Sequence, residues 1–380
     1  MKILQIGMEW FPENPGGLDR YYYDCYQYLP QANIELTGLL AGSDKVIQNS
    51  QGKVKAFAAP ELSLPKRWLK MRAAFKQTIE SDCHDLIVSH FALYTFPILN
   101  KISQLPLVTH FHGPWALESD VEHPKPIAIW FKKQVEKAVY NRSSQFIVLS
   151  QTFRDILHQK YQVPLEKIHI IPGGVDIDRF NIDTSLMEAR NTLGWDRNRP
   201  TIFCIRRLAK RMGLENLISA IAKVRKHYPD ILLYIAGKGA LASALQAQIA
   251  ELELTNNVKL LGYVSDEHLP LYYRAANFSV VPTVALEGFG LIVIESLAAG
   301  TPVLGTPIGG IPEILRPFSE DLVFDGYHPD QLAKGIIETL SGDRTLPSSQ
   351  ACLNYIIANY HWNNIAQQIK QVYQKALEQS

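Results

Sequence analysis

The sequence predicts an α/β protein of two Rossmann-like halves with parallel sheets. Three observations carry this: the chain length, an alternation of short apolar runs with helix-like segments, and a break that separates two such series. At 380 residues the chain exceeds one ordinary core and suffices for two. Residues 3–6, 85–88, 105–109 and 146–149 read as buried strands, separated by stretches such as 68–79 with apolar residues at helical spacing. Such a rhythm makes βαβ units. It starts over after Pro200, with strands expected at 201–205, 232–236, 259–261, 278–281, 302–305 and 321–324. Between the series, Ile171-Pro172-Gly173-Gly174-Val175-Asp176 interrupts both periodicities. The boundary is therefore placed at Asp176, giving domains 1–176 and 177–361. Ile365, Ile369, Val372, Tyr373 and Leu377 share one face of a final helix, which another element must cover.

Composition narrows the function. A formal charge of +1 offers no global field to gather nucleic acid, so any anion must be held by a local site. Cys25, Cys83, Cys204 and Cys352 form no CxxC pair and have no nearby histidine at ligand spacing, so neither a disulfide framework nor a zinc site is expected. A reducing cytoplasm suits them. The first apolar run is too short for a signal peptide and reads as a buried strand, and no stretch approaches the roughly 20 apolar residues of a membrane span.

The segment from Val281 to Glu295 carries the chemistry. Pro282 and Thr283 end a strand, Glu287-Gly288-Phe289-Gly290 follows, and Leu291 opens a helix. A glycine-bounded helix start is an anion site: its free amides point outward, the dipole adds about half a positive charge, and glycine lets a phosphate approach closely. Glu287 lies before the turn, poised toward a ligand. Glu295 lies about two turns further on, where a carboxylate can accept paired bonds from a ribose diol. Beyond the expected strand 201–205 stand Arg206, Arg207, Lys210 and Arg211. A departing diphosphate needs such cationic, fork-shaped donors.

The stretch VPTVALEGFGLIVIESLAAGTPVLGTPIGGIPEIL, residues 281–315, closely resembles the signature of the family 4 retaining glycosyltransferases. Other words follow in the family's order across nearly the whole chain. The resemblance implies the GT-B fold, two facing Rossmann-like domains with the final helix 362–380 crossing back to the first, and a nucleotide sugar bound between them. It implies that Glu287 faces the donor sugar and Glu295 the ribose, with the amides around Phe289, Gly290 and Leu291 on the distal phosphate and sugar. Pro15-Gly16-Gly17 resembles the glycine loop near the phosphates and transferred sugar. In His110-Phe111-His112-Gly113, His112 matches the histidine that contacts that sugar. Gly237-Lys238-Gly239 resembles a Gly-Asp-Gly turn. At Gly262-Tyr263-Val264 relatives pair backbone with the nucleobase and cover its face with a side chain. Two departures stand out: Arg206 replaces the glycine of a usual Gly-Arg-Leu, and Met212 stands where a lysine is usual. Arg207 then keeps the arginine's role, and Arg211 or Lys210 substitutes for the lysine. Tyr272, Tyr273 and Trp362 are expected to pack.

The implied reaction is transfer of a hexose, UDP-glucose being the first donor to try, by front-face attack within an ion pair. Catalysis falls to His112, Glu287 and Arg207, with no cofactor and no metal, since no DxD pair occurs in a matching context. Acceptor candidates in the first domain are Trp115, Glu118, Asp120 and the aromatic residues from Tyr21 to Tyr28, for a glycan or a lipid-linked acceptor of cell-envelope or extracellular polysaccharide synthesis. A basic amphipathic stretch, Lys66, Arg67, Trp68, Leu69, Lys70, Met71, Arg72 and Lys76, suits peripheral contact with anionic lipid at the inner membrane face or an ordinary solvated helix. The competing readings are a non-catalytic nucleotide-sugar-binding partner subunit and a nucleotide-sugar 2-epimerase. A dehydrogenase is disfavoured because no GxGxxG follows the first strand.

Overall fold

The computed structural model describes residues 1–14, 16–102, 105–122 and 125–379. The chain divides into two compact units, Met1–Gly173 with Trp362–Ser380, and Gly174–His361. The division falls a few residues before Asp176. The reason is local: Val175 donates its amide to the Tyr360 carbonyl at 3.0 Å and bridges His361, which ties it to the second unit.

Among the described residues the first unit holds seven strands, β1 (Lys2–Glu9), β2 (Glu35–Ala41), β3 (Val54–Ala58), β4 (Leu86–Ser89), β5 (Leu107–Phe111), β6 (Gln145–Val148) and β7 (Ile168–Ile170). All their pairings are parallel, in the order β3-β2-β1-β4-β5-β6-β7. The second unit holds β8 (Thr201–Ile205), β9 (Leu232–Ala236), β10 (Val258–Gly262), β11 (Phe278–Val281) and β12 (Val303–Gly305), parallel in the order β10-β9-β8-β11-β12. Central strands such as β8 and β9 are buried on both faces and read as continuous apolar runs, because helices cover each side of a parallel sheet.

In both orders the connection direction reverses once, between β1 and β4 in the first unit and between β8 and β11 in the second. Ligands of open α/β sheets bind outside the carboxyl ends of the strands at such a reversal. Of the sequence-expected sites, Gly16 and Gly17 follow β1, Arg207 to Arg211 follow β8 and Glu287 to Leu291 follow β11, while His112, Gly237 and Tyr263 follow β5, β9 and β10.

The strand expected at 321–324 is not one. A 3-10 turn at Glu320–Leu322 occupies it, and only Val323 makes a single bridge to Gly305. Among the described residues, no helix is long and apolar enough to cross a membrane. The final helix, Trp362–Glu378, packs in the first unit: Trp362 is buried and stacks on Tyr28 with centroids 5.4 Å apart, and Tyr373 donates to or accepts from His110 at 2.8 Å.

Candidate active site

In the second unit the loops after β8 and β11 are stitched together. The Val284 amide donates to the Arg211 carbonyl at 3.0 Å, and the Arg211 guanidinium donates to the Leu286 carbonyl at 2.9 Å. Arg206, the residue that replaces glycine, donates to the Thr283 hydroxyl and forms an ion pair with Glu287. Thr283 donates to the same carboxylate oxygen, Oε2, at 3.2 Å. The pair is largely buried, with 8% of the Arg206 side chain and 13% of the Glu287 side chain exposed. Burial alone would raise the Glu287 carboxyl. The Arg206 guanidinium, aided by Arg211 and Thr283, outweighs it and holds the group below the ordinary carboxylate value.

Two glycines make room for the pair. Gly309, at φ +60°, passes so close that a Cβ would lie 1.9 Å from the Glu287 carbonyl oxygen, and Gly237, at φ +136°, would place one 1.9 Å from the Arg206 carbonyl oxygen. Gly288 lies beside Glu287, and Gly310 donates its amide to the Glu287 carbonyl at 3.1 Å. Gly290, at φ 97°, precedes the helix Leu291–Ala298, and no side chain caps its first turn. Phe289 is buried against Tyr360, which fixes the loop that leads into that turn. Arg207 and Lys210 are exposed. Met212 is buried, so the position of the usual lysine offers only packing. Of its two expected substitutes, Arg211 braces the loop and Lys210 stands in solvent.

The neighbouring strand ends continue the row. The Gly237 amide donates to the Gly262 carbonyl at 2.7 Å, and the Leu208 amide to the Lys238 carbonyl at 2.9 Å. Tyr263 is half exposed, with the Lys238 ammonium 5.1 Å from its ring centroid, and Val264 is half-buried beside it. Glu295 is buried in the helix, where the Tyr273 hydroxyl donates to its Oε2 at 3.2 Å. Tyr273 thus packs as expected and also holds an acid.

In the first unit Gly16 precedes the helix Gly17–Tyr28, whose first turn has no side-chain cap, and a Cβ on Gly17 would meet nothing within 4 Å. Pro15 lies outside the described residues. Asp19 in that turn is buried, accepts the Glu9 amide at 2.9 Å, and is pushed up to about 7 by burial. His112 does not stand alone. His90 Nδ1 and His112 Nε2 are 3.1 Å apart, and the His90 and His110 rings stack at 4.5 Å. Burial pulls the His112 imidazole down to about 3, so the ring is neutral. One nitrogen from each of the three lies within 4.8 Å of the others. The ring planes lie within 25° of parallel, however, which sends the lone pairs along separate planes where ligation of one ion needs them to converge. Tyr21 packs against all three rings and against Trp362, and with Tyr22 is fully buried, so these two of the proposed acceptor aromatics are core.

A family model described as Glycosyltransferase Family 4 matches residues 15–179, and one described as Glycosyl transferases group 1 matches residues 187–356. The chain belongs to the family 4 glycosyltransferases. An uncharacterised glycosyltransferase of Methanocaldococcus jannaschii is 26% identical over 405 aligned positions, covering 100% of this chain and 99% of the relative. Sucrose-phosphate synthase from Thermosynechococcus elongatus superposes with a TM-score of 0.83 at 23% identity, covering 100% of both chains. Anabaena HepE, solved with UDP and glucose, superposes with a TM-score of 0.79 at 20% identity, covering 99% of this chain and 100% of that one. The transferase therefore has the GT-B fold.

Within the second unit of the transferase, Arg207, Lys210, Arg211, Gly237, Tyr263 and Val264 lie on the same sheet end as Glu287 to Leu291. Gly16, Gly17 and His112 lie at the strand ends of the first unit. Sequence reasoning gave no site role to Thr283, Tyr273, His90 and Asp19, and grouped Arg206 with the diphosphate cations where the structure pairs it with Glu287. The available signal was that Arg206 directly follows β8 and Thr283 lies two residues past β11, which places them where ligand-facing loops begin.

Proposed function

We propose that the transferase moves a hexose with retention of configuration from a nucleotide-diphosphate sugar, UDP-glucose being the first donor to try, onto a glycan or lipid-linked acceptor of cell-envelope or extracellular polysaccharide. The carrying observation is the pair of exposed cations, Arg207 and Lys210, on a loop tied through Arg211 to the Leu286 carbonyl, in the segment that leads to the uncapped helix start at Gly290 and Leu291. On this reading the cations and helix amides stabilise the departing diphosphate without a metal. Gly288 and Phe289 shape that cradle, Gly237, Tyr263 and Val264 receive the nucleoside, and Glu295, oriented by Tyr273, takes the ribose diol. Glu287 holds the transferred sugar, and in the first unit Gly16, Gly17 and neutral His112 are the candidate donor-binding residues. Arg211 supports the site through the Leu286 carbonyl. UDP is the nucleotide with which HepE was solved. A thermal-shift panel of UDP, GDP and ADP sugars is the test. At 100 times its Kd a donor should stabilise the protein by about 2.7 kcal/mol. UDP-glucose should give the largest shift, and a panel with no shift would remove the reading.

The acceptor side is expected in the first unit, near Trp115, Glu118 and Asp120, with the enzyme working from the cytoplasmic face of the membrane. Arg67, Trp68 and Arg72 are bonded internally, to Tyr94 and the Leu93 and Pro97 carbonyls. Lys66 and Lys70 remain exposed beside Leu69, which is 71% exposed. Phe131, which stacks on Trp68, leads to Ile127 and Trp130, exposed at 86% and 63%. Apolar side chains ringed by lysines suit insertion into an anionic surface. Leu69→Glu combined with Ile127→Glu should lower co-sedimentation with phosphatidylglycerol vesicles at least ~10-fold, and unchanged binding would refute the contact.

A further inference from the structure

The Arg206–Glu287 pair has no counterpart in the family wording, where glycine is usual at the first position. Both recorded bonds to the Glu287 carboxylate, from Arg206 and from Thr283, converge on Oε2. No hydrogen bond from the described residues reaches Oε1. A carboxylate without such an anchor can turn about its last side-chain bond and offer either oxygen to a ligand. Here one oxygen is occupied, the backbone on both sides is fixed by the close approach of Gly309 and Gly237, and the acid is ionised. The charged groups acting on it are Arg206, on the loop after β8, and Arg211, further along the same loop.

We propose that Arg206 is a specificity-determining positioning residue, which holds Glu287 by Oε2 so that Oε1 alone, in one fixed direction, accepts a hydroxyl of the donor sugar. The inference rests on the reading of Glu287 as the acid that faces that sugar. A fixed acceptor discriminates between epimers because the wrong one leaves a largely buried anion without its hydrogen bond, a loss that a mobile carboxylate evades by turning. Arg206 itself touches no reacting atom. Its Nη2 donates to Thr283 and Glu287, and its buried Nε has no acceptor among the described residues.

The test measures kcat and KM for UDP-glucose against its C4 epimer UDP-galactose, and for GDP-mannose against its C2 epimer GDP-glucose. Wild type is compared with Arg206→Gly, Arg206→Gln and Glu287→Gln, with UDP and GDP affinity and the pH profile recorded for each. For whichever pair the enzyme uses, both Arg206 variants should reduce discrimination at least ~10-fold, the scale on which a pocket contact sorts substrates. The effect should fall on kcat, with nucleotide affinity unchanged. The acid limb of kcat/KM should move upward, because Glu287 stays buried after losing its cation. The glutamine variant keeps a side chain in the space, so a folding failure of the glycine variant does not decide the matter. Unchanged discrimination and an unmoved acid limb in Arg206→Gln, with Glu287→Gln impaired, would overturn the anchoring and leave the role of Glu287 standing. Wild-type turnover in Glu287→Gln would instead overturn the underlying reading.

Discussion

Glu287→Ala is expected to lower the stability of the second unit by about 3–5 kcal/mol, the usual cost of removing one partner from a buried ion pair. The reason is what it leaves behind: Arg206, with 8% of its side chain exposed, keeps among the described residues only the Thr283 hydroxyl as acceptor. For a domain of this size the loss corresponds to a fall in Tm of roughly 10 °C. The double variant Arg206→Met, Glu287→Met removes both charges and fills the space, so its Tm should return close to wild type, since apolar replacements of buried pairs are often neutral or better. It should not recover transfer. Glu287 has a lowered folded pKa, so the contribution of the pair is complete above the unfolded value of about 4.3 and fades as pH falls through the folded value. A double variant as unstable as Glu287→Ala would show that the loop, and not the unpaired arginine, sets the cost.

The parts of this fold legible in the sequence are those where local chemistry and tertiary role coincide. The strands around 3–6, 201–205 and 232–236 are buried on both faces, so their apolar runs are uninterrupted. The restart after Pro200 separates the two sheets, and Glu287 to Glu295 announces a helix start that the structure leaves uncapped. Three strands of the first sheet went unread for identifiable reasons. β2 carries Thr37-Gly38 in its middle, β3 lies at an edge with Lys55 exposed, and β7 is three residues long at the opposite edge. Edge strands need apolar residues on fewer sides, so their patterns fade. The choice of partners was less legible still. Arg206 and Glu287 are 81 positions apart and meet only because β8 and β11 are neighbours. His90, His110 and His112 come from the ends of adjacent strands β4 and β5, and Tyr21 closes over them from a helix. Aromatic residues between Tyr21 and Tyr28 suggested a ligand wall, yet burial of Tyr21 and Tyr22 serves the core.

Acidification should test that histidine cluster in a way that a single melting curve does not reveal. His90, His110 and His112 all have folded pKa values below the unfolded ~6.5, lowered by burial and, for His90 and His110, by the neighbouring imidazoles. The unfolded chain therefore takes up protons that the folded chain refuses. Their contribution is complete above about pH 6.5 and is lost below it, by about 4 kcal/mol for the three between pH 7 and 5.5. Two buried carboxyls in the same unit act with the opposite sign. Asp19, and Glu136, which accepts the Tyr161 hydroxyl at 2.8 Å, are pushed up to about 7 by burial. The folded chain protonates them first, which adds back about 3 kcal/mol over the same interval. Urea unfolding of the wild-type first unit, followed within the whole chain, should thus lose only about 1 kcal/mol from these five groups between pH 7 and 5.5, with His84 and His169, also lowered by burial, adding to the loss in wild type and variant alike. In Asp19→Asn, Glu136→Gln the opposing contribution is gone, and stability should fall by about 4 kcal/mol as the histidines dominate. Adding His90→Phe should remove roughly a third of that slope. A double variant as flat with pH as wild type would mean that the three imidazoles accept protons in place, and that the stacked cluster is not held neutral by the fold.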